Sequence, residues 1–134
     1  VDLDYSVSFA RKAREAGATK ISLVSSVGAN PYSKNFYLKI KGEVEEEIKK
    51  IDFQSINIFR PSLLLGHREE GRFLEKIGQN LSSFINPLLI GSLRKYRGIK
   101  SSNVAYFMAN CEKSSGIKYF YFDDFNNNFE RENQ

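Results

Sequence analysis

The sequence predicts an α/β fold built on a parallel sheet, and two observations carry the prediction. Helical and strand-like patterns alternate along the chain, and the strand-like runs are too apolar for a sheet with one wet face. Such strands need cover on both sides, which crossover helices supply.

The elements follow from periodicity and punctuation. Between Asp4 and Ala16 the residues Val7, Phe9, Ala10, Ala13 and Ala16 recur near helical spacing, and Gly17 stands where a left-handed helix end wants glycine. Thr19 to Val24 is a short β-rich run that closes on Ser25 and Ser26, with Gly28 and Ala29 just beyond. Ser33 to Lys50 holds no proline and spaces Phe36, Tyr37, Ile40, Val44 and Ile48 three to four residues apart among Lys and Glu, predicting a long amphipathic helix. Ser55 to Phe59 is strand-like and Arg60-Pro61 ends it, because proline donates no ladder hydrogen bond. Farther on, a helix is expected over Arg72 to Phe84 with a break at Pro87, then a short extended piece over Lys95 to Ile99. Ser101 to Cys111 reads as a helix capped by Ser101 or Ser102, with Val104, Ala105, Met108 and Ala109 on its apolar face, and Ile117 to Phe122 as a final strand. Residues 1–125 are expected to form one partial domain and 126–134 a frayed polar tail.

Bulk properties narrow the function classes. A chain of 134 residues with 41% hydrophobic composition can bury one core and hardly two. Its 20 basic and 16 acidic residues alternate in sign, as from Lys39 to Lys50, which reads as a solvated surface and not as the clustered basic groove that nucleic acid requires. The single cysteine, Cys111, forms no internal disulfide and is expected to sit as a small buried hydrophobe, which fits a reducing cytoplasm. No apolar run reaches the roughly 20 residues of a membrane-spanning helix, and the start shows no basic-then-apolar signal, so a soluble protein without a membrane partner is expected. With one histidine and one cysteine, a zinc or iron site finds almost no ligands, and no metal is expected.

Chemistry concentrates near the second helix. Tyr37 and Lys41 stand four residues apart, so their side chains project from one face. An ammonium beside a phenol favours the phenolate, which brings the phenol toward proton exchange near neutral pH. Tyr37 is therefore the candidate acid/base and Lys41 its tuner, against the plainer alternative of a core aromatic beside a surface lysine. Ligands of open parallel sheets bind beyond the carboxyl ends of the strands, so Ser26 is expected at the same rim, able to donate to a substrate oxygen; the plainer alternative is that Ser25 and Ser26 shape a turn. Glu43, Glu45, Glu46 and Glu47 read as the wet face of the helix. His67 reads as a solvated loop residue, while Arg68 could meet an anionic substrate if its loop folds over the site. Tyr119 and Tyr121, alternating with Phe120 and Phe122, read as strand packing.

Three segments carry a resemblance. VSSVGAN (Val24 to Asn30), NFYLKIKGEVEEEI (Asn35 to Ile48) and IFRPSLLLGHREEGR (Ile58 to Arg72) resemble the atypical short-chain dehydrogenase/reductases of the Tat-interactive-protein-like, NAD(P)-binding group, and the likeness runs from about residue 1 to 122. KYRGI (Lys95 to Ile99) followed by SSNVAYFM looks like the later part of the same group. The resemblance implies the C-terminal portion of a Rossmann-type doubly wound parallel sheet. It implies catalytic roles for Ser26, Tyr37 and Lys41, cofactor contacts from Ser25, Lys41, Arg60, Pro61 and Ser62, and substrate contacts from Gly28, Leu63 and Arg68. NAD(P) is then the cofactor of the intact protein, and hydride transfer to or from a carbonyl or alcohol its activity. The group opens with a strand, a glycine-rich turn and a helix that hold the pyrophosphate, and Gly28, Gly66, Gly71, Gly78, Gly91 and Gly98 do not form that pattern. The N-terminal βαβ cofactor unit is thus read as absent, so the fragment alone is expected to hold no cofactor and to need a complementary N-terminal half or a second copy of itself. The rival reading is a non-enzymatic regulatory or scaffold module of dinucleotide-binding ancestry.

Overall fold

Parallel pairing dominates the computed structural model, which describes residues 2–62, 64–65, 99–111 and 115–125. The chain divides into two compact units, one built on Val1–Arg60 and Glu112–Phe120, the other on Pro61–Cys111 and Tyr121–Gln134.

The first unit is an α/β layer. Helix α1 (Asp2–Glu15) is followed by strand β1 (Lys20–Val24), helix α2 (Phe36–Lys49) and strand β2 (Ser55–Phe59). α1 ends as its glycine predicts: Gly17 takes φ 97°, Ala18 N–H donates to Ala13 O at 2.9 Å and Gly17 N–H to Arg14 O at 3.0 Å, the paired bonds of a Schellman motif. α2 starts three residues later than the spacing suggests. Asn35 is its cap, with the side-chain oxygen accepting from Leu38 N–H at 3.1 Å, while the Ser33 hydroxyl accepts from Asn35 N–H at 3.1 Å and so holds the chain in a turn before the helix.

β2 is the middle strand of a three-stranded parallel sheet, between β1 and a strand over Gly116–Phe120. The register pairs Lys20 with Ser55 and Val24 with Phe59 on one side, and Ser55 with Gly116 and Phe59 with Phe120 on the other. All five residues of β2 are buried, whereas β1, at a sheet edge, alternates exposed and half-buried positions. Ile56 and Ile58 form a core with Ala10 of α1, Val44 and Ile48 of α2, and Phe53, joined by the half-buried Ile21 and Leu23 of β1. Each fully buried Val, Ile or Phe side chain contributes about 1.5–3 kcal/mol relative to exposure. Phe9, Phe36 and Tyr37, counted by the periodicity on apolar stripes, are instead 71%, 78% and 55% exposed. Phe9 and Phe36 project away from the buried directions set by Val7 and Ala10 and by Val44 and Ile48, whereas Tyr37 lies on the line of Val44 and Ile48 but stands in the exposed first turn of α2.

In the second unit, β3 (Leu64–Leu65) pairs in parallel with β4 (Ile99–Lys100), and helix α3 (Ser101–Asn110) follows directly. The expected serine cap is not made: Lys100 occupies the cap position without a side-chain bond. The buried residues of α3 are Asn103, Val104 and Phe107, while Ala105 and Ala109 are exposed, so the core stripe is rotated from the expected one by the larger Phe107. Phe107 meets Phe125 edge to face at 5.6 Å. Cys111 is half-buried at the end of α3, not enclosed in a core. The last strand, β5 (Gly116–Phe120), stops two residues early, because Asp124 accepts from Tyr121 N–H at 2.7 Å and opens a helical turn over 122–125. The helix expected over Arg72 to Phe84, the break at Pro87, most of Lys95 to Ile99 and the tail 126–134 lie outside the described residues.

Gly42 is a contact that periodicity does not reveal. A Cβ there would overlap the Asn30 carbonyl carbon and the Pro31 nitrogen, backbone atoms that cannot swing aside. The loop between β1 and α2 therefore lies on the helix, pinned also by Asn30 N–H donating to Leu38 O at 3.1 Å. In an open helix Gly→Ala adds about 1 kcal/mol of stability. Gly42→Ala in the full-length protein is expected to do the opposite, with a loss of about 1–3 kcal/mol in urea unfolding from overpacking. An unchanged or raised midpoint would show that the loop is not pressed against the helix.

Candidate active site

Parallel strands place their carboxyl ends together. Ser25 continues directly from β1, with its N–H donating to Phe59 O at 2.7 Å, and Arg60 continues from β2, with its N–H donating to Phe120 O at 2.8 Å. α2 is reached by the loop that leaves this rim, so its first turn, which carries Tyr37, begins on the same side of the sheet.

At the rim the hydroxyl of Ser25, a residue only 4% exposed, has no hydrogen-bond partner among the described residues. A buried orphan hydroxyl costs about 1–3 kcal/mol unless something meets it. Ser26 is half-buried and its hydroxyl donates to Val27 O at 3.2 Å. Gly28, at φ 81°, turns the loop beside Leu38. Tyr37 stands 55% exposed, and the Lys41 ammonium lies over its ring at 5.7 Å from the centroid, within reach of a cation–π attraction. Lys39 pairs with Glu43 at 3.8 Å, and Lys49 and Lys50 pair with Glu46 and Glu47. Among the described residues Lys41 has no carboxylate partner. The structure thus brings Tyr37 and Lys41 together, while Ser26 is hydrogen-bonded to neither. Pro61 is buried and Ser62 half-buried, both in the second unit. Leu63, His67 and Arg68 lie outside the described residues.

One acidic residue departs from the wet face. Glu45 is 1% exposed; its Oε1 accepts from Arg60 Nε at 3.0 Å and its Oε2 from Arg60 Nη2. The Arg60 guanidinium also lies over the Tyr119 ring at 4.4 Å from the centroid. Glu45 follows Val44 and precedes Ile48 by three residues, which sets it inside the core stripe; the available signal was an acid at a core position with an arginine closing the next strand. Glu43 and Glu47 are half-buried and Glu46 is exposed. Lys50 holds the Glu47 carboxyl below its ordinary range. Glu46 holds the Lys49 ammonium above its own; burial opposes this, and Tyr119 supports it.

An open cleft of about 840 Å³ lined by Leu3, Pro31, Tyr32, Glu43, Glu46, Glu47 and Lys50 contains none of Ser26, Tyr37 or Lys41. Among the described residues no three His, Cys, Asp or Glu converge as metal ligands, and no helix is long and apolar enough to cross a membrane.

No family model matches the chain. Over 72 residues, 54% of the chain, it is 47% identical to the protein named FMP52, mitochondrial, of Coccidioides immitis, of which it covers 29%. Over the same length it is 43% identical to FMP52 of Saccharomyces cerevisiae, covering 31% of that protein, and 40% identical to HTATIP2 of Rattus norvegicus, covering 30%. The chain spans about a third of the length of the curated relatives it matches. These similarities support a relation to the atypical short-chain dehydrogenase/reductase, NAD(P)-binding group over part of the chain. They also correct the expected cytoplasmic location, because the fungal relatives are named mitochondrial. A lone cysteine does not distinguish one compartment from another.

Removing Glu45 separates the two readings of its face. Breaking a buried ion pair from one side typically costs about 3–5 kcal/mol. Glu45→Ala in the full-length protein is expected to lose about 3 kcal/mol, the low end, since the Arg60 side chain keeps 19% exposure. Urea unfolding within about 0.5 kcal/mol of wild type would mean that Glu45 is solvated after all.

Proposed function

We propose that the protein carrying this chain is an NAD(P)-dependent oxidoreductase of the short-chain dehydrogenase/reductase type, interconverting a small-molecule carbonyl and its alcohol. The observation that supports it is the Tyr37–Lys41 pair at the start of α2, the ammonium 5.7 Å from the ring centroid and without a carboxylate partner among the described residues.

In this reading the Tyr37 hydroxyl gives a proton to the reacting oxygen, or takes one from it, and Lys41 keeps positive charge beside that oxygen as the proton moves. Ser26 donates to the same oxygen once its hydroxyl turns from Val27 O, a rotation about one bond. The buried hydroxyl of Ser25 and the ammonium of Lys41, each without a polar partner among the described residues, fit the polar groups of a dinucleotide, which when bound would supply or accept the hydride. Arg60, Pro61 and Ser62 as cofactor contacts, and Gly28, Leu63 and Arg68 as substrate contacts, are carried by the resemblance. The designation of the fungal relatives makes a mitochondrion the proposed location.

One observation favours a second reading, a non-enzymatic dinucleotide-binding regulator or scaffold: the Ser26 hydroxyl is bonded to its own loop at Val27 O. Substitution separates the two. In the full-length protein Tyr37→Phe is expected to lower kcat by about 10²–10⁴-fold, the usual worth of a proton-transfer group, with cofactor affinity nearly unchanged. Lys41→Ala is expected to weaken both. Near-full turnover by Tyr37→Phe would overturn the mechanism, and dinucleotide binding without turnover of any carbonyl by wild type would favour the regulator.

A further inference from the structure

We propose that the buried Glu45–Arg60 pair is a positioning device that fixes the roll of α2, and with it where Tyr37 and Lys41 stand at the rim; the catalytic meaning of that placement rests on the oxidoreductase reading. Tyr37, Lys41 and Glu45 lie on three successive turns of one side of the helix, and burial deepens along them. Tyr37 is 55% exposed, Lys41 is half-buried and Glu45 is 1% exposed. The reactive end of the stripe is wet and its far end is anchored.

The apolar contacts of α2 cannot set the roll alone. Val44 and Ile48 pack in an apolar cluster, and apolar cores tolerate small shifts, losing uniqueness before stability. A bidentate carboxylate–guanidinium contact has one good geometry. Arg60 is also a fixed post. Its N–H is held by Phe120 O at 2.8 Å, Pro61 follows it, and its guanidinium rests on the Tyr119 ring at 4.4 Å. The helix is thus tied to the sheet through Glu45.

The lever arm makes the roll matter. A side-chain tip about 6 Å from a helix axis moves about 1 Å for a roll of about 10°, and a misplacement of about 1 Å can cost about 10²-fold in rate. Stability gives a weaker reason to retain the pair, because replacing a buried ion pair with apolar residues of similar volume is often neutral or stabilising.

The test uses the full-length protein with both partners replaced, Glu45→Met together with Arg60→Met, and 3-fluorotyrosine placed at position 37. The expected result is a urea midpoint at or above that of wild type, kcat at saturating cofactor lowered at least tenfold, and a ¹⁹F resonance that shifts or splits as position 37 samples several placements. Wild-type kcat with one unshifted line would reduce the pair to a structural contact and overturn the proposal. If the double variant does not fold, Arg60→Lys, which keeps a charge but loses the fork, is expected to shift or split the line, and an unchanged line there also overturns it. The resonance needs no turnover. Should wild type reduce no carbonyl, the oxidoreductase reading fails, and the ¹⁹F line alone decides whether the pair places Tyr37.

Discussion

The parallel ladder through β2 is the constraint on which the rest depends. Because β1 and β5 both run parallel to β2 in matched register, the carboxyl ends of the three strands in that sheet lie together, and the ladder bonds run on into Ser25 and Arg60. Two residues far apart in sequence become neighbours on a rigid edge. The loop that departs from that edge returns along α2, close enough to exclude any side chain at position 42. Loop and ion pair both converge on the middle of one helix.

Local patterns were legible in the sequence where a single period decides. Ser55–Phe59 was readable to the residue, since an apolar run between a polar turn and Arg60-Pro61 admits one strand. β1 and the glycine stop of α1 followed equally from short-range chemistry. The starts of α2 and the end of β5 were misjudged because side chains compete for backbone there: Ser33 and Asn35 at one, Asp124 at the other. Periodicity cannot see such bonds, since it weighs hydrophobicity alone.

The same blindness explains what was missed near the candidate site. Counting every glutamate of α2 as solvated placed Glu45 in water, although it occupies a core position and is paired from a residue fifteen positions on. Gly42 gave no signal because its reason is the backbone of the loop that precedes α2, pressed on the helix. The Tyr37–Lys41 juxtaposition was legible, being an i,i+4 relation within one helix. A common placement with Ser26 is not a local relation, and the serine hydroxyl is found on Val27 O. Cellular location was beyond the reach of one cysteine; the fungal relatives are named mitochondrial.

Hydride delivery is the most direct test of the central claim that the rim bearing Tyr37 and Lys41 is an oxidoreductase centre. Full-length protein would be given NADH or NADPH carrying deuterium at the transferable position, with a panel of aldehydes and ketones, and the alcohols analysed by mass spectrometry. The account predicts one deuterium on the former carbonyl carbon of at least one product, falling to background with Tyr37→Phe. Tight dinucleotide binding with no labelled alcohol, or labelling that persists undiminished without the Tyr37 hydroxyl, would contradict it.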